Sequence, residues 1–313
     1  MKKLLITAFA ATAFCAFAEE KAAPAPADTA KADGEAIEEV DDSGSGLWGE
    51  ASVDILSDYM WRGIILDDNP VWQPSVSLGY NTEDFGGIYF NYWASFDLTD
   101  RRNRMPYGNN SRQCGSIQEQ DFYIGYTKSF GDVDFEIGHY WYDYPYNGKR
   151  GTTGVNGAGS HNAGSLGSDL TAGVFYNNPY ITPGAEVLWN YSTMHGKDPS
   201  RVYFRFSVKH DFEITDTVKL TPKSVLGVGD HEFTRSQIAG VMDDSRDNYG
   251  VEMTDWTQTL ALSWAVTDYF TLGAKINYTW VPSHSLRHER WMTGGHDNRN
   301  QLVWGGVNAA LSF

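Results

Sequence analysis

The chain has 313 residues, of which 14% are aromatic and 32 are glycine, and it carries a formal net charge of −16 at pH 7. That acidity argues against nucleic acid as a partner, because phosphates demand a basic surface. After the first residues no apolar run approaches the roughly 20 residues of a helical membrane span, so any crossing must be made by strands.

The N-terminus opens with the positive Met1-Lys2-Lys3, continues through an apolar Leu4 to Phe17, and offers small residues at Ala16 and Ala18. This pattern predicts a secretory signal peptide over residues 1–18, cleaved before Glu19. Cys15 does not make it a lipoprotein signal, since the bulky Phe14 precedes it. The mature chain would keep Cys114 alone, so the fold cannot rest on an internal disulfide. Residues 19–46 are rich in alanine, proline and acids and end in Ser43-Gly44-Ser45-Gly46. With almost no large apolar side chain to bury, they predict a disordered acidic periplasmic leader that acts as a spacer.

From residue 47 to 313 the apolar positions recur with period two, the signature of a strand with one face in an apolar medium. Twelve strands are predicted, near 47–62, 71–81, 86–97, 117–129, 133–144, 169–176, 181–191, 201–211, 217–229, 254–265, 269–280 and 301–313. The clearest is 86–97, where Ile88, Phe90, Tyr92, Ala94 and Phe96 alternate with Tyr89, Asn91, Trp93, Ser95 and Asp97. Links after even strands are short and those after odd strands long, the pattern of short periplasmic turns and long extracellular loops. The fold class expected is therefore all-β: a closed antiparallel up-and-down transmembrane β-barrel of about 12 strands. Trp61, Trp72, Trp141, Trp256 and Trp280 near the outer strand ends, with Tyr80, Tyr176, Trp264, Phe270 and Phe313 near the inner ends, predict two interfacial aromatic belts. Pro74, Pro183 and Pro222 fall inside strands, where a missing N–H is best tolerated at a bulge or an end.

Function is expected on the lumen-facing set. Glu50, Asp54, Asp58 and Arg62 come from the first strand, and Glu119, Asp121, Asp134, Glu136, Asp169 and Glu186 from the fourth to seventh. Arg205, Lys209, Lys219, Lys223 and Lys275 come from the eighth, ninth and eleventh. Acids and bases on opposite walls would set up a transverse field that orients dipolar solutes, as in a pore. A twelve-stranded barrel lies between the filled interior of about eight strands and the open channel of roughly 16–18. A narrow open pore and a barrel plugged by paired charges both fit. Arg101-Arg102-Asn103-Arg104 with Arg112 reads either as an inward constriction or as a solvated surface for acidic lipopolysaccharide groups.

These features predict a narrow diffusion channel for small hydrophilic solutes, without cofactor, metal site or catalytic set. The rival classes are a lipase-like outer-membrane enzyme and a non-conducting structural or adhesin barrel. Ser160-His161-Asn162 lies in a glycine-rich loop that is a poor scaffold for a nucleophile and its base. The remaining histidines show no metal-ligand spacing. Asp67-Asp68-Asn69 and Asp243-Asp244 read as hydrated acidic loop tips rather than calcium sites.

The segments Leu56-Ser57-Asp58-Tyr59-Met60-Trp61-Arg62-Gly63, Val71-Trp72-Gln73-Pro74-Ser75, Gly86-Gly87-Ile88-Tyr89, Trp93-Ala94-Ser95-Phe96-Asp97 and Glu119-Gln120-Asp121-Phe122-Tyr123-Ile124-Gly125-Tyr126 resemble the TorF-type porin family. The likeness runs across roughly residues 50–145 and the C-terminus and is thin between. It implies a bacterial outer-membrane barrel and supplies no substrate or catalytic residues. The alternating stretch that ends on Phe313 also resembles the insertion signal of such barrels, which implies outer-membrane lipid, lipopolysaccharide and the barrel assembly machinery as partners.

Overall fold

The computed structural model describes residues 46–82, 84–99, 114–144, 165–192, 200–234, 250–282 and 300–313. The expected signal peptide and nearly all of the expected leader lie outside them, as do Arg101 to Arg112, Ser160 to Asn162 and Asp243-Asp244. The strands in chain order are β1 (Gly46–Leu56), β2 (Tyr59–Trp61), β3 (Ile64–Asp67), β4 (Val71–Thr82), β5 (Gly86–Asp97), β6 (Ile117–Phe130), β7 (Val133–Tyr144) and β8 (Ser165–Tyr176). They continue with β9 (Thr182–Ser192), β10 (Arg201–Lys209), β11 (Phe212–Thr215), β12 (Val218–Gly229), β13 (Glu252–Thr267), β14 (Phe270–Trp280) and β15 (Gln301–Ser312).

Each wall strand pairs antiparallel with its sequence neighbour, β10 pairs with β12, and β15 pairs with β1, so the sheet closes on itself. The ring is β1-β4-β5-β6-β7-β8-β9-β10-β12-β13-β14-β15, the twelve-stranded barrel expected from the alternation. Closure runs from Glu50↔Ser312 to Leu56↔Gly306, leaving no free edge at the seam. β11 is a short continuation beyond β10 that pairs with β12 across a bulge.

The pleat sorts the side chains as the period-two pattern predicts. Ile88, Phe90, Ile124, Ile276, Val303 and Val307 point outward and are between 40% and 61% exposed. A girdle of that size and composition is unfavourable in water and favourable against lipid. Pro74 is accommodated by local interruption. On the β5 side the ladder omits Gln73 and Pro74, while Trp72↔Phe96 and Ser75↔Trp93 hold the same register on either side.

One expectation needs correcting. The first strand does not continue to residue 62, because β1 ends at Leu56 and the chain leaves the wall. Ser57 N–H still donates to Gly305 O (2.9 Å), and the wall is rejoined where Leu98 N–H donates to Pro70 O (3.0 Å). Between these points β2 and β3 form a separate two-stranded sheet. Trp61 therefore belongs to no outer belt, whereas Trp72, Trp141, Trp256 and Trp280 sit on outward positions of their strands.

Candidate functional site: the lumen and its inward hairpin

Trp61 pairs with Ile64 across the two-residue turn Arg62-Gly63, whose φ values are 44° and 81°. Positive φ at both central residues makes a type I′ turn, whose twist matches the flanking strands. Glycine adopts it freely; for arginine the left-handed region costs about 1–2 kcal/mol. Packing holds the turn there. Leu56, Tyr59, Met60, Ile64 and Ile65 are buried against Val71, Trp93, Val281 and Trp304.

Three polar latches fix the hairpin to the walls. Tyr59 Oη donates to Glu119 on β6 (2.7 Å). The buried guanidinium of Arg62 meets Asp169 on β8 (2.8 Å), and that carboxylate also accepts from Tyr142 Oη (3.0 Å) and Asn190 Nδ2 (2.8 Å). Arg62 also stands over the rings of Trp61 (4.4 Å), Tyr203 (4.9 Å) and Phe233 (5.9 Å), a desolvated cation–π arrangement. Phe233 comes from a helical turn over residues 231–234, begun by Asp230 Oδ1 accepting from Phe233 N–H (2.6 Å). At the hairpin's far end Asp67 is wholly buried and shares the Gln118 amide with Asp97. The Asp67-Asp68-Asn69 run is thus partly an internal contact and not simply a hydrated tip. At the hairpin base, burial raises the Asp58 carboxyl above the ordinary carboxylate value; the Ser57 hydroxyl opposes that, and Asp68 and Asp67 add to it.

Beside the hairpin, β5, β6 and β7 carry a tyrosine cluster. Tyr89, Tyr123, Tyr140 and Tyr142 are all buried, with Trp48 packed against them. Tyr123 and Tyr140 lie 4.1 Å apart, and Tyr140 and Tyr142 stack at 5.5 Å with planes 7° apart. Glycines make the room. A Cβ on Gly138 would sit 1.9 Å from Tyr123 Oη, and one on Gly125 would sit 2.5 Å from the Tyr89 ring. Tyr89 and Tyr123 donate to one oxygen of Glu136, at 2.5 and 2.6 Å.

The wall of β10, β12, β13 and β14 is built differently. Its inward positions include Lys209, Lys219, Lys223 and Lys275, with the hydroxyls of Ser207, Thr221, Thr259 and Ser263 between them. Lys209 and Lys223 are direct Cα partners. Lys219 approaches Asp211 (3.5 Å), and Lys275 reaches over β15 to Asp54 (3.3 Å), past the small Gly306. Arg205 forks onto Glu186 with bonds of 2.6 and 2.5 Å.

The strand-borne residues expected in the lumen all occupy inward positions: Glu50, Asp54, Glu119, Asp121, Asp134, Glu136, Asp169, Glu186, Arg205, Lys209, Lys219, Lys223 and Lys275. Asp58 and Arg62 do not line the wall, since they belong to the segment that left it. The two signs do not simply face each other across an open bore; Arg62–Asp169, Arg205–Glu186 and Lys275–Asp54 are ion pairs. Sequence reasoning missed the hairpin and the tyrosines. The signal for the hairpin was present: two short β-prone runs, Tyr59 to Trp61 and Ile64 to Asp67, separated by two residues of which the second is glycine.

No curated protein matches the sequence. Among solved structures the chain is similar to a KdgM porin, with 8% identity, a TM-score of 0.42, and coverage of 85% of this chain and 99% of that one. It is similar to OmpT of Vibrio cholerae, with 9% identity, a TM-score of 0.39, and coverage of 86% and 97%. An active-site mutant of outer membrane phospholipase A from Escherichia coli gives 12% identity, a TM-score of 0.42, and coverage of 84% and 89%. Likeness at this level bears on neither substrate nor activity. The sequence itself places the chain, because residues 41–279 match the Gcw_chp family profile. The chain belongs to Gcw_chp, a family of bacterial proteins of unknown function.

Proposed function

We propose that this chain is a porin of the bacterial outer membrane, passing small hydrophilic solutes through a lumen that the β2–β3 hairpin narrows. The observation that carries the reading is the contrast between the two faces of one closed sheet. Outward positions are apolar and exposed, whereas inward positions beyond the hairpin, such as Glu50, Ser52, Thr171, Ser207, Lys223 and Ser263, are polar and only half-buried. Polar side chains that stay half-buried leave room between the walls for water and solute, whereas a plugged interior would bury its charges in pairs. The signal-like N-terminus and the resemblance to TorF-type porins support the same reading, which assigns the protein no catalysis. The test is planar-bilayer recording on purified, refolded protein. Small unitary currents are expected, and replacing residues 59–67 by a short glycine linker should enlarge them several-fold. Silence from both proteins would overturn the proposal.

A further inference from the structure

The two sides of the lumen treat charge differently. Glu119, Glu136 and Asp169 are buried and hydrogen-bonded to Tyr59, to Tyr89 and Tyr123, and to Arg62, Tyr142 and Asn190 respectively. Their charge is used inside the packing and is withheld from a solute. The bases on the opposite side are half-buried: Lys209, Lys219, Lys223 and Lys275 occupy one continuous stretch of wall across β10, β12 and β14. Half-buried acids remain at Glu50, Asp121, Asp134 and Glu186 on β1, β6, β7 and β9; on the lysine side Asp211 and Glu252 are half-buried at strand ends, and Asp255 on β13 is buried and accepts from Tyr203 and Thr254. Asp134 accepts from the Asn177 amide (2.6 Å) and Glu186 is engaged by Arg205.

Lys209 and Lys223 are directly opposed, so their Cβ atoms lie about 4.5–5.5 Å apart and like charges are crowded there. Asp211 and Asp54 meet Lys219 and Lys275 at 3.5 and 3.3 Å, looser than the roughly 2.7–2.9 Å of a tight charge-assisted bond. Ser207 and Ser263 place further hydroxyls on the same face, while Thr221 donates to Asp211 and Thr259 to Asn277. Ammonium groups at this spacing, interleaved with hydroxyls, fit an anion carrying two or more carboxylate or phosphate groups better than a monovalent one.

We propose that the lysine wall of β10, β12 and β14 is a docking surface for soluble multivalent oxyanions and gives the lumen its selectivity for anions. The selectivity half rests on the porin reading; the binding half does not. Citrate and pyrophosphate should bind the refolded full chain saturably in low-salt calorimetry, and acetate should not. Lys209→Gln with Lys223→Gln should weaken both by about tenfold or more, with an unchanged circular dichroism spectrum, while Lys223→Arg should retain binding. In bilayers under a KCl gradient the reversal potential should indicate anion preference, and Lys209→Glu with Lys223→Glu should reverse its sign. Binding that depends on the lysines without any conductance would keep the site and remove the porin reading. Conductance without saturable binding, or binding indifferent to both lysines, would overturn the site and leave the porin reading standing.

Discussion

The β5–β8 side and the β10–β14 side of the barrel begin from one period-two pattern and end with opposite interiors. On the first, aromatic rings lie over glycines and their hydroxyls bind buried carboxylates, so the wall is thick and the hairpin leans on it. On the second, lysines and short hydroxyls point inward and are half-buried, with Tyr203 and Phe233 packed near the hairpin. The difference teaches that alternation fixes which side chains point inward, whereas their bulk and their partners fix whether the space they point into is filled.

The hairpin latch is where this contrast breaks most severely. Asp169→Asn leaves Arg62 buried without its carboxylate, and removal of one partner of a buried pair costs about 3–5 kcal/mol. Urea unfolding of the refolded barrel should show that loss, and replacing both partners, Arg62→Met with Asp169→Leu, should recover only part of it, because Tyr142 and Asn190 then lose their acceptor. Gly138→Val drives a side chain into Tyr123 and should cost about 1–3 kcal/mol by overpacking, read from the same unfolding curves. Tyr59→Phe removes the hydroxyl that donates to buried Glu119; a loss of about 1–3 kcal/mol is expected, with larger bilayer currents as the hairpin loosens. The smallest effect belongs to the lysine wall. Lys209→Thr removes one charge of the directly opposed Lys209–Lys223 pair and should change stability by no more than about 1 kcal/mol at low salt, a change that shrinks as salt is added. A large loss there would show that the lysine wall is as tightly packed as the tyrosine wall.

Much of the fold was legible in the sequence. The alternation of Ile88, Phe90 and Phe96 with Asn91, Ser95 and Asp97 assigned faces correctly, because a pleated strand has only two. The closing pair of β1 and β15 followed from an up-and-down barrel with an even strand count, and that register carries Lys275 over the small Gly306 towards Asp54. The break after Leu56 was not anticipated. Residues 57–62 can be counted as strand on propensity alone, and only the type I′ requirement of Arg62-Gly63 argues otherwise.

By itself the sequence determined a closed barrel of about twelve strands with an apolar exterior and a charged interior, since both follow from local periodicity and link length. Only the tertiary structure decided which of those charges are spent. Arg62 finds Asp169 across 107 residues of chain, Tyr59 finds Glu119 across 60, and Tyr89 finds Glu136 across 47. Such pairings depend on the diameter, the stagger and the direction in which one hairpin turns, quantities that no local pattern carries, because they exist only once the ring has closed.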